Sequence, residues 1–329
     1  IDLINQYGAD GVRVGVLISS PAGNDLPFDS AQCEQGRNFT NKIWNAYRLV
    51  ASWEVREIEQ PLSSKVAIEW FDNRFAQVLK EINDNFDKFR ISDALMSTYK
   101  LVWDDFCSWY LEMIKPGYQQ PIDRQTLEHT LDFFERILKI MHPFTPFVAE
   151  ELYHALRERQ AGDDIVISQW PESQEVNDAP MQQFAFNEKV ITQIRNIRKQ
   201  NNIATKVKLE LFIKADASRA SDADSIIVKM GNLSVLQYVQ EKVAQSNSFI
   251  VDGIEFFVPF GEQIDIEAEK KKIEEELNYT KGFLKSVQGK LHNEKFMAGA
   301  PEAVVTNERN KEADALQKIA ILEEKLKGM

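Results

Sequence analysis

Apolar positions recur at helical spacing over almost the whole first half of the chain, and the period changes after residue 165. In the clearest stretch, 92–114, Leu95, Tyr99, Val102, Phe106, Trp109 and Met113 are spaced by threes and fours. Lys115-Pro116 ends that helix, because proline lacks the amide hydrogen a continuing helix needs. Further helices are predicted from Asp29 onward and over 64–86, 124–141 and 146–157, with Pro143 and Pro146 breaking the chain between the last two. In the first of them, Phe39, Ile43, Tyr47 and Val50 make an apolar stripe while Asn38, Lys42, Asn45 and Arg48 make a polar one, so this helix has two working faces. Residues 1–17 carry Leu3, Ile4, Tyr7, Val12, Val14 and Leu17, which suits a helix broken near Gly8. Long helices joined by short turns predict an up-and-down bundle.

Beyond residue 165 the elements shorten. IVISQW (165–170) predicts a short strand, 171–180 a polar linker and 183–200 a helix. Val207, Leu209, Leu211 and Ile213 alternate as a half-buried strand does, and two more strands are predicted at 236–239 and 254–258, with Asp252-Gly253 supplying a hairpin turn. A heptad pattern begins near 262. Ile266, Ile273, Thr280 and Val287 repeat every seventh residue, and Leu277, Leu284 and Leu291 occupy the offset that completes an a/d seam. A second helix carries Ala315, Leu316, Ile319, Leu322 and Leu326 on one side, and Pro301 stands where a first helical turn tolerates it. Each helix would extend about 40 Å, and an antiparallel hairpin is the predicted arrangement. The fold class read from this pattern is mainly α: a helical bundle, a small α/β unit and an antiparallel coiled-coil hairpin, with divisions at 1–30, 31–160, 161–260 and 261–329.

Composition narrows the function. The chain has 329 residues, 43% of them hydrophobic, enough for two or three domains with real cores. No apolar run is long enough to span a bilayer and no charged-then-apolar leader opens the sequence, so a cytoplasmic protein without a membrane partner is expected. The two cysteines, Cys33 and Cys107, lie far apart without a CxxC pair or a neighbouring His at ligand spacing, which predicts reduced core thiols and no metal. The four histidines assemble no Ser/His/Asp constellation, and Gly282 and Gly289 sit inside heptads rather than in a phosphate loop. Asp104–Asp105 and Glu150–Glu151 are adjacent and so diverge on a helix. No catalytic residue and no cofactor are expected within these residues.

Binding remains. Asn38, Lys42, Asn45 and Arg48 combine amides with cations, as contacts to phosphates and base edges require; the plain alternative is a solvated face. Trp70 and Phe71 are helical neighbours, so one is a candidate for stacking on a base, unless both are shared between core layers. Arg195, Arg198 and Lys199, followed by Lys206 and Lys208, form a basic cluster, or ordinary surface charge. Lys281, Lys285, Lys290, Lys295 and Arg309 lie on the hairpin among many acids. A net charge of −12 argues against a generally basic nucleic-acid binder but leaves local basic faces open, and DNA is not an expected partner.

Several motifs carry a family resemblance. YGADGVR (7–13), RNFTNKIWNA (37–46), WDDFCSWYLEMIKP (103–116) and HPFTPFVAEELY (142–153) occur in an order that resembles the C-terminal half of the valyl-tRNA synthetase family. IRNIRKQNNI (194–203) and KLHNEKFMAGAPEAVV (290–305) extend the likeness to the end. The first four are shared more loosely with the isoleucyl and leucyl enzymes, while the arm points to valine. The resemblance implies that 1–30 ends a stem-contact region, 31–160 binds the anticodon, 161–260 connects, and 261–329 is an arm bracing the tRNA elbow. It adds Arg37 and Asn41 to Asn38, Lys42 and Asn45 as residues of the helix that joins the stem contacts to the bundle. It implies tRNA(Val) as partner and a monomeric parent enzyme that uses ATP with magnesium. Its catalytic and editing domains, with the HIGH-type and KMSKS-type motifs, would lie upstream of Ile1, making this chain a fragment. Where relatives often carry prolines and a lysine pair after Ile203, this chain reads Ala204-Thr205-Lys206. The rival readings are a coiled-coil interaction protein and a free-standing tRNA-binding module.

Overall fold

The computed structural model describes residues 1–19, 29–259 and 266–292, together with separate positions between 305 and 326. Two compact units emerge: Ile1–Glu188 with Ser221–Met230, and Lys189–Ala220 with Gly231–Met329.

The first unit is the helical bundle. Helices α1 (Asp2–Tyr7) and α2 (Ala9–Ile18) are separated at Gly8, whose φ of 77° is a conformation that favours glycine. Helix α3 (Ser30–Ala51) begins at Asp29, whose carboxylate accepts the Ala31 amide at 2.9 Å. Next come β1 (Val55–Arg56) and α4 (Leu62–Asp87). Helix α5 (Ile91–Lys100) continues through a π-helical segment, Leu101–Tyr110, into α6 (Leu111–Ile114). The sequence predicted one regular helix here. Instead the wider turns let the Ser108 hydroxyl donate to the Trp103 carbonyl at 2.7 Å. Strand β2 (Ile122–Asp123) pairs in parallel with β1. Asp123 then caps α7 (Arg124–Met141) by accepting the Thr126 amide at 2.8 Å. Helix α8 (Pro146–Leu156) carries its proline in the first turn, where no helical amide partner is lost. Helix α9 (Asp178–Gln200) belongs to this unit as far as Glu188, and α10 (Asp224–Gly231) as far as Met230.

Aromatic rings fill the centre of the bundle. Phe71 lies 4.9 Å from Tyr110, 5.0 Å from Phe133 and 5.4 Å from Phe106, centroid to centroid. The Tyr110 hydroxyl is satisfied by Thr130 at 2.9 Å, so a fully buried ring leaves no polar atom stranded. Burying each such ring contributes about 1.5–3 kcal/mol. Both cysteines are buried free thiols, and burial pushes the Cys107 thiol up to about 12.

Two of the sequence motifs meet in a clamp. The Asp10 carboxylate accepts the Val148 amide at 2.7 Å and the Phe147 amide at 3.3 Å, closing the N-terminus of α8. Arg13, one turn along α2, donates to the Pro143 and Phe144 carbonyls at 3.0 and 3.3 Å. Burial raises the pKa of Asp10, and those two amides, Arg13 and His142 oppose the rise. YGADGVR and HPFTPFVAEELY are therefore two halves of one structural joint.

Two expectations fail here. Residues 165–170 are not a strand: Ile165–Ile167 is a 3₁₀ turn whose first amide donates to Glu150 at 3.1 Å instead of entering a ladder. The predicted linker 171–180 is shorter than expected, because α9 already starts at Asp178.

The second unit holds a four-stranded sheet in the order β4-β3-β6-β5, built from β3 (Leu209–Lys214), β4 (Leu233–Val239), β5 (Ser246–Val251) and β6 (Ile254–Pro259). β3 runs parallel to β4 and antiparallel to β6. Asp252 and Gly253, with φ of 48° and 81°, turn β5 into β6. The edge strand β5 was not predicted, since its sequence SNSFIV opens with polar residues.

Helix α11 (Ile266–Leu291) follows. Ile273, Leu277, Thr280 and Val287 are buried as the heptad requires. Leu322 shares a cluster with Ile273 and Leu277, against which Ile319 and Leu326 pack. The pairs Gln288–Glu312 at 2.9 Å and Lys281–Glu323 at 2.6 Å run in opposite senses along the two segments. The antiparallel direction of the predicted hairpin agrees with them; within its predicted tip, 290–305, residues 293–304 lie outside the described residues.

Candidate nucleic-acid interface

Helix α3 turns its apolar stripe inward: Phe39 and Ile43 are fully buried and Val50 nearly so. The opposite stripe is thereby delivered to solvent. Asn38, Asn41, Asn45 and Arg48 are exposed, and among the described residues none of them has a side-chain hydrogen bond or ion pair. Arg37 and Lys42 are half-buried and engaged. Arg37 bridges Glu34 at 3.2 Å, reaches the Gln6 carbonyl at 3.4 Å and lies over the Tyr7 ring.

The Lys42 ammonium sits 5.2 Å above the Trp103 ring, which stacks on Tyr99, which stacks in turn on Phe39. Trp103 and Tyr99 are half-buried. The surface thus joins amides, cations and partly open aromatic faces, the three kinds of group that hold unstacked bases and their phosphates. The sequence pattern marks the α3 stripe but not Tyr99, which falls on the apolar side of its own helix, or Trp103, which stands out only as the start of the motif at 103–116.

Trp70 and Phe71 require a correction. Trp70 is 3% exposed and Phe71 is fully buried, so neither offers a face to a base. A helix packed on two sides can bury neighbouring positions: Phe71 enters the central cluster while Trp70 stacks on Phe184 with centroids 4.0 Å apart. Trp70 and Phe184 also border a 310 Å³ cleft whose amides serve the fold, Gln183 donating to Asn187 and Asn187 to the Ala223 carbonyl.

In the second unit, Arg195, Lys199, Lys206 and Lys208 are exposed. Arg198 is not. It is buried, and its guanidinium donates to the carbonyls of Ala204, Gly231 and Asn232 at 3.2, 2.8 and 3.2 Å. That residue ties a helix end to the start of β4 and is withdrawn from the binding set. On the arm, Lys281 is bonded to Glu323, and Lys290 lies 3.6 Å from Glu308. Lys285 and Arg309 are exposed, and Lys295 lies outside the described residues.

Residues 69–213, which begin within α4 and do not include α3, match the family described as the anticodon-binding domain of tRNA ligase. Residues 265–329 match the family described as the valyl tRNA synthetase tRNA binding arm. The chain is similar throughout to valine–tRNA ligases. Over its whole length it is 51% identical to the valine–tRNA ligase of Christiangramia forsetii and 48% identical to that of Parabacteroides distasonis. Identity to the Listeria monocytogenes enzyme is 31%. The chain spans 38% of the length of the first two relatives and 39% of the third. Among the described residues, no helix is long and apolar enough to cross a membrane.

Proposed function

We propose that this chain is the tRNA-holding portion of a cytoplasmic, monomeric valine–tRNA ligase, the enzyme that attaches valine to tRNA(Val) at the expense of ATP with magnesium. The observation that carries the reading is the presence in one chain of an anticodon-binding domain at 69–213 and a valyl-type arm at 265–329. The exposed face of α3 supplies the reading surface: Asn38, Asn41 and Asn45 can pair with base edges, and Arg48 with phosphate. Tyr99 and Trp103 are the neighbouring faces for stacking. Two long helices at the arm reach a second, remote region of the same L-shaped tRNA. Two linked contacts raise the effective concentration at each, so the tRNA is held with its acceptor end free for chemistry elsewhere in the parent enzyme. Adenylation, editing and the ATP and magnesium sites are assigned to parts of that enzyme beyond these residues.

The test is a mobility-shift panel of tRNAs that includes anticodon variants of tRNA(Val). Preferential binding of tRNA(Val), weakened by anticodon substitution, is expected. Removal of residues 262–329 should weaken binding to every tRNA(Val) variant by a similar factor while leaving the helical signal of the bundle intact. Equal affinity for all tRNAs, or none for any, would overturn the reading.

A further inference from the structure

Outside the tRNA-facing surface, the bundle brings together three side chains that the sequence showed no reason to connect. Glu150 and His154 are one helical turn apart on α8, and Asp164 returns from the following turn to face them. The His154 Nε2 lies 3.0 Å from the Glu150 carboxylate and 3.3 Å from that of Asp164. One ligand atom from each residue falls within 4.8 Å of the others.

The proton count is unusual. A single imidazole nitrogen faces two carboxylate oxygens and carries at most one proton, so it cannot satisfy both with good geometry. Glu150 is also held in place, because its Oε1 accepts the Ile165 amide at 3.1 Å while His142 approaches its other oxygen at 3.9 Å. Two negative groups and one nitrogen lone pair converging from fixed backbone is the arrangement a dication completes. Tetrahedral coordination with bonds of about 2.0–2.2 Å places neighbouring donor atoms about 3.3–3.6 Å apart. The separations around His154 are close to that spacing before any adjustment. The imidazole selects a borderline transition ion over magnesium or calcium, which prefer all-oxygen shells.

We propose that Glu150, His154 and Asp164 bind a divalent transition-metal ion, with zinc as the test ion, clipping the C-terminal half of α8 to the turn at 163–168. Water completes the shell. This inference lies beyond the tRNA-binding reading and does not depend on it.

The experiment is calorimetric titration of the chelator-stripped chain with Zn²⁺, together with the visible spectrum on Co²⁺ addition and thermal unfolding with and without Zn²⁺. The chain has only four histidines and two cysteines, and both cysteines are buried, so competing sites are few. We expect one ion per chain, Co²⁺ bands of low symmetry, a raised unfolding temperature with Zn²⁺, and no displacement by Mg²⁺. His154→Ala should weaken Zn²⁺ binding by at least roughly tenfold and abolish the thermal shift. Asp164→Asn, on an exposed turn where folding is not at risk, should weaken it similarly. Absence of Zn²⁺ uptake by the unmodified chain, or uptake unchanged in both variants, would overturn the proposal.

Discussion

Adding one methyl group at Gly36 tests how the two motif-bearing helices α2 and α3 are joined. A Cβ there would lie 2.4 Å from the Gly11 carbonyl oxygen, 2.9 Å from the Val14 Cβ and 3.0 Å from the Gly11 Cα. Carbon contacts are favourable at about 3.5–4.0 Å, so the helices would have to separate by roughly 1 Å. Two of the three obstacles are backbone atoms on a rigid helix, and no flexible side chain can swing away. Overpacking of this kind costs about 1–3 kcal/mol, against which the better helix propensity of alanine returns about 1 kcal/mol. Displacing α2 also strains the Asp10 and Arg13 bonds to the α8 start, which moves the expected net loss for Gly36→Ala to about 2 kcal/mol. Gly282→Ala supplies the control, because nothing lies within 4 Å of a Cβ at that position of α11. There the propensity gain stands alone, and a stabilisation of about 0.5–1 kcal/mol is expected. Urea unfolding followed by far-ultraviolet circular dichroism reads both. If Gly36→Ala were as stable as the unmodified chain, or changed in the same direction as Gly282→Ala, the close-crossing argument would be wrong.

Further expectations concern other joints. Asp10→Ala leaves two amides at the head of α8 without their carboxylate and should lower stability by about 2–4 kcal/mol in urea unfolding. Lys229 is pushed down to about 8 by burial, although Glu112 and Asp123 oppose the shift. The unfolded lysine titrates at its ordinary value, so between these two the unfolded state binds more protons and folding stability rises with pH from about 8 to 10.5. Lys229→Met should flatten that rise and gain on the order of 1–3 kcal/mol at neutral pH, measured as urea midpoints across the range. Arg198→Ala strands three carbonyls and should destabilise the second unit by about 2–4 kcal/mol, while the salt dependence of tRNA binding by the folded variant stays unchanged.

Much of the architecture was legible because local physics dictated it. Proline and glycine punctuation marked Gly8, Lys115-Pro116 and the Asp252-Gly253 turn, and the heptads marked the inner face of α11. Features that depend on distant partners were not legible. The π-helical segment leaves no trace in spacing, since it shifts hydrogen bonds rather than residue types. Residues 165–167 are β-branched, yet their amides found Glu150 and a local turn before any strand. Arg198 looked like its exposed neighbours Arg195 and Lys199, and only the carbonyls gathered by the fold distinguish it. Trp70 and Phe71 misled for the same reason: adjacency on one helix cannot reveal that α9 covers the second side. The α3 surface was half legible, its own polar stripe being visible and the aromatic faces contributed by another helix not.

The central claim is that the uncovered face of α3 reads the anticodon loop. Its most direct measurement is the affinity of the chain for tRNA(Val) and for an anticodon-substituted tRNA(Val), with Asn45→Ala and Arg48→Ala beside the unmodified protein at one salt concentration. The account predicts that Asn45→Ala costs about 1–3 kcal/mol with the native anticodon and little with the substituted one. Arg48→Ala should weaken both and reduce the slope of affinity against salt by about one phosphate contact. Unchanged affinity for tRNA(Val) in both variants, with the protein folded, would contradict it.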